Sequence, residues 1–264
     1  MDFDKLEIKQ EKVLGTNKRI IILDTLIDML SMDETVDLVN QYIKTNTPLH
    51  LIGVNADKIN ELNKNQKMKE IVNKCGIINA DGASVVLASK FLNKKLPERV
   101  AGIDLMDRIV ELCSKENYSV YLLGAKEEVV SKTKTVLEQK YKGVNIIGFR
   151  NGYFDYDQWD KIADELLSLN PDVIFVGITS PLKEYLVEFL QNKGLNSVLM
   201  GVGGSFDVIS GSIPRAPLWV QKINMEWMFR VIQEPKRLFK RYFVGNFTFI
   251  KNVIFEKISK WGNL

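Results

Sequence analysis

From about Ile20 onward, short apolar runs alternate with longer stretches in which apolar residues recur at helical spacing. The runs are Ile20 to Leu23, Leu49 to Val54, Gly76 to Ile78, Val120 to Leu123, Val144 to Ile147, Val173 to Val176 and Val198 to Val202. Most are apolar throughout rather than alternating, as strands read when both faces of a parallel sheet are covered. Run and helix in alternation predict an α/β protein with mainly parallel strands. Several helix starts are legible: Ser31 or Asp33 before Val36, Asp104 before Leu105, and Asp155 or Asp157 before Ile162. Turns follow the strands at Asn79-Ala80-Asp81-Gly82, Leu123-Gly124-Ala125 and Gly201-Val202-Gly203-Gly204. Ligands of open α/β sheets collect at the carboxyl ends of the strands, so chemistry is expected at these turns.

The pattern changes near Ile213, which divides the chain into a polar leader (1–18), an α/β core (19–212) and a C-terminal appendage (213–264). Asn224 to Gln233 is predicted as a helix stopped by Pro235. A second helix, Lys236 to Trp261, places apolar residues at 239, 242, 243, 247, 250, 254, 258 and 261, and Gly245 is expected to bend or interrupt it. Charge sharpens this division. The net charge is only +3, but residues 213–264 hold ten Lys/Arg against three Asp/Glu, together with ten of the 25 aromatic residues. Aromatic density beside positive charge is how a helix that lies on anionic lipid is built. The alternative is a helix packed on the core with a solvated basic face.

Other classes fall away. An overall surplus of three charges does not argue for nucleic acid. Two cysteines and one histidine cannot supply a Cys/His zinc site or a disulfide framework. No apolar run approaches the 18 or so residues of a membrane span, and the charged start MDFDKLEIKQEK lacks the apolar core of a secretory signal. A cytoplasmic protein, peripheral at the inner face of the membrane, is expected.

Asp81 follows a short strand and precedes Gly82, Ala83 and Ser84, so it is expected at the mouth of the sheet, as a reactive carboxylate or as a helix cap. Asn55 holds the analogous place after Leu49 to Val54. Gly201 to Asp207 is a glycine-rich turn where backbone N–H groups can approach a phosphate, and Asp207 is placed to accept from a ribose or to cap the turn. Neither G-x-G-x-x-G nor G-x-x-x-x-G-K-[ST] occurs, so the class of nucleotide stays open. Asp155-Tyr156-Asp157 has the form of a metal-diphosphate motif, but at a helix start N-capping is the better account. Cations for a leaving diphosphate must then come from Arg99 or from Arg230, Arg237, Lys240 and Arg241.

Six strings occur in order: Asn79-Ala80-Asp81-Gly82, Leu96-Pro97-Glu98-Arg99-Val100-Ala101-Gly102, Tyr121-Leu122-Leu123-Gly124-Ala125, Gly152-Tyr153-Phe154, Gly201 to Asp207, and Glu226-Trp227 through Glu234-Pro235-Lys236-Arg237. Together they resemble the WecG/TagA/CpsF glycosyltransferases (glycosyltransferase family 26) over about residues 19 to 243. The resemblance implies a Rossmann-like core and a C-terminal appendage that docks on the membrane. It also implies inverting, metal-free transfer of N-acetylmannosamine or a related sugar from a UDP donor to polyprenyl-diphosphate-linked N-acetylglucosamine, in teichoic acid or other surface-polysaccharide synthesis. No cofactor is implied, and the UDP-sugar is a substrate. Asp81 falls on the proposed general base, Asn55 on an active-site asparagine and Arg99 on the arginine of the P-E-R-V-A-G string. Tyr153 and Asp207 fall on residues that hold the uridine, beside the glycine turns at Gly124, Gly203 and Gly204. Arg230 and Arg237 fall on appendage arginines that meet the diphosphate, and Lys240, with Arg241 next to it, takes the third such place.

Two departures touch the sugar site. Teichoic-acid members carry Thr-Pro-Asn where this chain has Gly53-Val54-Asn55, and Ala-Pro-Lys-Gln-Glu where it has Ser180-Pro181-Leu182-Lys183-Glu184. Lys183 therefore joins the residues expected at the reaction centre as a cation in place of a neutral glutamine, where it would suit a carboxylated sugar or an extra phosphate contact. A different UDP-sugar (glucose, N-acetylglucosamine or a uronic type) is the alternative reading. A nucleotide-dependent oxidoreductase or epimerase would share the architecture but lacks its fingerprint here, and a membrane-associated scaffold without catalysis is the third. Pairing of two copies through an exposed apolar face is left open.

Overall fold

The computed structural model describes residues 17–261, without the side chains of Arg237, Arg241, Lys260 and Trp261; most of the polar leader lies outside the described residues. Six strands form one wholly parallel sheet: β3 (Leu49–Val54), β4 (Ile77–Ala80), β5 (Ser119–Gly124), β6 (Asn145–Arg150), β7 (Val173–Gly177) and β8 (Val198–Gly201), in the order β4-β3-β8-β7-β5-β6. One face packs on α1 (Met32–Lys44), α5 (Gly102–Glu116) and α6 (Glu127–Lys140), with Leu51, Phe175 and Met200 meeting Val39, Ile109 and Val130. The other is covered by α2 (Ala56–Leu62), α3 (Gln66–Lys74), α4 (Ala83–Phe91), α7 (Trp159–Leu169) and α8 (Leu182–Asn192). Both faces are dry because the strands are apolar on both sides, as the sequence pattern requires.

The sequence errs in four places. Ile20 to Leu23 belongs to a separate antiparallel hairpin of β1 (Arg19–Ile22) and β2 (Thr25–Asp28), turned through Leu23 and Asp24, both at positive φ. The hairpin is tied to β4, since the Arg19 guanidinium donates to the carbonyls of Cys75 and Gly76 at 2.8 Å and Ile78 N–H to Asp28 at 2.6 Å. Ser31 caps α1 in a reciprocal pair with Glu34, but Asp104 caps nothing: α5 begins two residues earlier, at Gly102. Asp155 and Asp157 make no side-chain cap bond either, because a 3-10 turn (Tyr156–Gln158) carries the chain into α7 and buries Trp159.

The fourth error concerns the appendage. After α9 (Ser205–Ile209) and α10 (Leu218–Lys222) come α11 (Glu226–Gln233) and α12 (Pro235–Trp261), an unbroken helix of 27 residues. Gly245 does not interrupt it. The Gly245 carbonyl accepts from Asn60 Nδ2 of α2 at 2.7 Å, and burial of Phe249 and Val253 in the α2/α4 side of the core offsets the roughly 1 kcal/mol a helical glycine costs. Glu256 pins the far end through Lys94 (3.1 Å) and Leu23 N–H (2.9 Å). Residues 239, 243, 247, 250, 254 and 258 of the predicted stripe are exposed, whereas the buried face runs through Leu238, Phe249 and Val253. The helix is apolar on two sides, one seated on the core and one open.

Candidate active site

The site is assembled at the carboxyl ends of the parallel strands. At the end of β4, Asp81 N–H donates to the Val54 carbonyl of β3 at 2.9 Å, which fixes the turn. The Asp81 carboxylate faces α5, and Oδ1 accepts from Gly102 N–H at 2.9 Å. It therefore sits at the N-terminus of a 15-residue helix. Oδ2 has no hydrogen bond among the described residues and lies 3.9 Å from where a Cβ on Gly53 would stand. Gly53 thus flanks Asp81, and a Cβ there would press on Asp81 Cβ at 3.0 Å. Asn55 is next to this turn, and its Cβ lies 2.8 Å from where a Cβ on Gly82 would be. Its Oδ1 caps α2 through Lys58 N–H at 2.9 Å, which leaves the amide Nδ2 for a ligand.

Arg99 closes the other side. Nε donates to the Asp81 carbonyl at 2.7 Å, Nη1 to Asn224 at 3.2 Å, and Nη2 pairs with Glu226 at 3.0 Å. All three guanidinium nitrogens are engaged within the protein, and two of their partners stand at the start of α11.

A second cluster lies at the ends of β5, β7 and β8. Gly124 has φ +142°, and a Cβ there would fall 2.4 Å from the Gly177 carbonyl carbon. A Cβ on Gly177 would fall 2.6 Å from the Phe206 ring, and one on Gly152 2.5 Å from Ile178. Gly124 meets the main chain of Gly177, while Gly177 and Gly152 meet the Phe206 and Ile178 side chains, and none of the three leaves room for a Cβ. Tyr153, its N–H bound to Asn151 Oδ1 at 3.0 Å, holds an exposed ring beside Gly152. Gly203 has φ +52°, and Asp207 follows in α9 with a carboxylate that makes no hydrogen bond or ion pair among the described residues. A planar base stacking on Tyr153 and a diol bonding to Asp207 would fit this end.

Lys183 does not stand free at the strand ends. It is buried 3.4 Å from Glu184, and its methylenes pack where Gly201 lacks a side chain. Glu184 is wholly buried, paired with Lys58 at 2.8 Å and bonded to Ser180 Oγ at 2.9 Å, and Lys58 also bonds Ser180. Burial alone would raise the Glu184 carboxyl, but the Lys183 and Lys58 charges and the hydrogen bonds outweigh it and hold it at about 2. His50 of β3, fully buried, is pushed down to about 4 by burial, against the attraction of Glu184 and with the repulsion of Lys183 and Lys58. Lys58 is likewise lowered by its burial.

Of the predicted site residues, Asp81, Asn55 and Arg99 come together, as do Gly124, Tyr153, Gly203, Gly204 and Asp207. Arg230 lies in the last turn of α11 and Lys240 is exposed on α12; neither is bonded to Asp81, Asn55 or Arg99. The side chains of Arg237 and Arg241 lie outside the described residues. Gly177, Lys58 and Arg215 escaped the sequence reading, and Glu184 and Glu226, though they stand in quoted strings, were given no role in it. Gly177 carried a usable signal, an apolar strand ending in glycine as at Gly124; the charged residues carried none.

A carboxylate and a row of closely packed glycines at the carboxyl edge of one parallel sheet stand where ligands of open α/β folds collect. Within that class, the chain belongs to the WecG/TagA/CpsF family of glycosyl transferases, which it matches over residues 20–263, and it is a glycosyltransferase. It is 33% identical over 210 residues to the N-acetylglucosaminyldiphosphoundecaprenol N-acetyl-beta-D-mannosaminyltransferase of Staphylococcus aureus strain MW2, covering 80% of this chain and 82% of the relative. The enzyme of the same name from strain NCTC 8325 gives the same identity and coverage.

Proposed function

We propose that this enzyme moves N-acetylmannosamine or a close relative from a UDP donor to polyprenyl-diphosphate-linked N-acetylglucosamine, with inversion and without a metal, in the synthesis of teichoic acid or a related surface polysaccharide. The observation that carries the reading is Asp81, with Oδ1 held by the α5 N-terminus and Oδ2 unbonded beside Gly53. Oδ2 takes the proton of the acceptor hydroxyl as that oxygen bonds to the anomeric carbon; the bond from that carbon to UDP breaks, and its electron pair leaves on the diphosphate. Asn55 Nδ2 orients the acceptor. The cations at 230, 237, 240 and 241 meet the diphosphates, while Tyr153 and Asp207 hold the uridine. The open aromatic face of α12 rests on the inner leaflet, which presents the lipid-linked acceptor to the cleft. No helix among the described residues is long and apolar enough to cross a membrane.

Gly53 favours a second reading, the same reaction with a differently substituted sugar, because the space beside Asp81 is wider than a threonine would leave it. Lys183 gives that reading little support, since it is buried against Gly201 and 3.4 Å from Glu184 rather than open to a ligand. The test incubates the full chain with a panel of UDP-sugars and a synthetic lipid-diphosphate N-acetylglucosamine, and follows UDP release with and without chelator. The expected result is acceptor-dependent release, fastest with UDP-N-acetylmannosamine or a near relative and unchanged by chelator. Release that requires a divalent ion, or none with any UDP-sugar, contradicts the proposal.

A further inference from the structure

Two residues to which neither the family strings nor the reaction assigns a role, Arg215 and Glu226, complete a closed circuit through Asp81. From its carboxylate, Oδ1 accepts from Gly102 N–H at 2.9 Å, at the start of α5. Two residues on, Asp104 pairs with Arg215 Nη2 at 2.6 Å. Arg215 Nε reaches Glu226 Oε1 at 3.4 Å, Glu226 Oε2 takes Arg99 Nη2 at 3.0 Å, and Arg99 Nε returns to the Asp81 carbonyl at 2.7 Å. Asp81 is thus gripped twice, by its side chain through α5 and by its main chain through Arg99, and both grips end on the two oxygens of one carboxylate.

We propose that Glu226 is a positioning residue for the base, and that the seating of α11 and the orientation of Asp81 are one structural event. Partly exposed ion pairs such as these contribute little to stability, so stability alone does not account for the circuit. Its geometry does account for a function. A carboxylate that must take a proton in flight has to be held within a fraction of an ångström, and such precision comes from locked neighbours. Arg99 cannot supply it unaided, because its guanidinium is set in turn by Glu226 and Asn224. Asp104, freed from capping α5, anchors the opposite arm.

The inference rests on Asp81 as the base, so its test has one readout that depends on turnover and one that does not. Glu226→Gln keeps the shape and removes the charge; Glu226→Asp keeps the charge and guards against a folding failure. With a working donor, Glu226→Gln is expected to lower kcat about 10- to 100-fold, to change the donor KM less than about threefold, and to be partly rescued in Glu226→Asp. In an Asp81→Asn background it should add little further loss, because its effect passes through the base. A full multiplicative loss on top of Asp81→Asn would overturn the proposal. Independently of turnover, the Gly102 amide resonance should shift and lose exchange protection in Glu226→Gln, while amides of β5 and β6 stay put. An unmoved Gly102 amide overturns the proposal even if activity falls. A moved amide in an enzyme that transfers no sugar upholds the circuit and rejects the catalytic reading of Asp81.

Discussion

At the ends of β5, β7 and β8 glycines pack too closely for any Cβ, whereas at the ends of β3 and β4 side chains reach into the appendage. Gly124, Gly152 and Gly177 pack backbone against neighbours so closely that no Cβ fits. Everything they meet lies within the core, before residue 213. Arg99 instead takes Asn224, 125 residues further along, and Glu226 as partners. The glycine contacts are complete in the core, while the Arg99 contacts are complete only when α11 is seated. If the open apolar face of α12 rests on lipid as proposed, the side of the site that holds Asp81 is the side joined to the membrane.

The largest effect that would sharpen this contrast is at the membrane. Replacing Phe239, Phe243 and Phe247, all exposed on the open face of α12, with serine should weaken binding to anionic liposomes by about 100-fold or more, since each inserted aromatic is worth roughly 1.5–3 kcal/mol. UDP affinity by calorimetry should not change; if it falls as steeply, the two regions are not separable. Next come the packed glycines. Gly124→Ala puts a Cβ 2.4 Å from the Gly177 carbonyl carbon at a backbone angle that disfavours it, a strain of about 1–3 kcal/mol, so UDP binding should weaken roughly 10- to 100-fold while liposome binding persists. Normal UDP binding by the Gly124→Ala protein would remove the packed glycines from the account.

The smallest effect concerns the buried charges between α2 and α8. His50 stays neutral in the folded protein down to about pH 4, while in the unfolded chain it takes a proton below its ordinary value of 6.5. Between those values the unfolded state binds more protons, so stability falls as pH drops from 6.5 to 4, by as much as about 3 kcal/mol from this group. Glu184, held at about 2, extends the loss below its ordinary value of 4.5. Tm should therefore fall by several degrees between pH 7 and 4.5, and His50→Asn should flatten the dependence. A level profile in the parent protein would show that the cluster does not keep His50 neutral.

How much of this was legible in the sequence follows the same division. The parallel strands and their glycine ends could be read because burial on both faces leaves an apolar run and a tight turn leaves a glycine. Asp81, Asn55 and Asp207 were visible from their places after those runs. What escaped is long-range. The Lys58–Glu184 pair and the Arg99–Glu226 pair join residues far apart in sequence with no local pattern, and each alone reads as a solvated charge. Ile20 to Leu23 looked like a sheet strand because its apolar content does not tell a hairpin from a central strand. In α12 the exposed apolar stripe was found and the buried one missed, because a helix apolar on two sides gives no single periodic face. Gly245, expected to break the helix, is held in it by Asn60.

The central claim is that Asp81 takes the acceptor proton in a cleft that binds the donor independently. The direct measurement is UDP release by the full chain and by Asp81→Asn on the preferred UDP-sugar and a lipid-diphosphate N-acetylglucosamine, with UDP affinity measured on both proteins. Loss of a positioned base should cut turnover by about 10²–10⁴ with UDP affinity within about threefold of the parent. Turnover that survives Asp81→Asn would contradict the account.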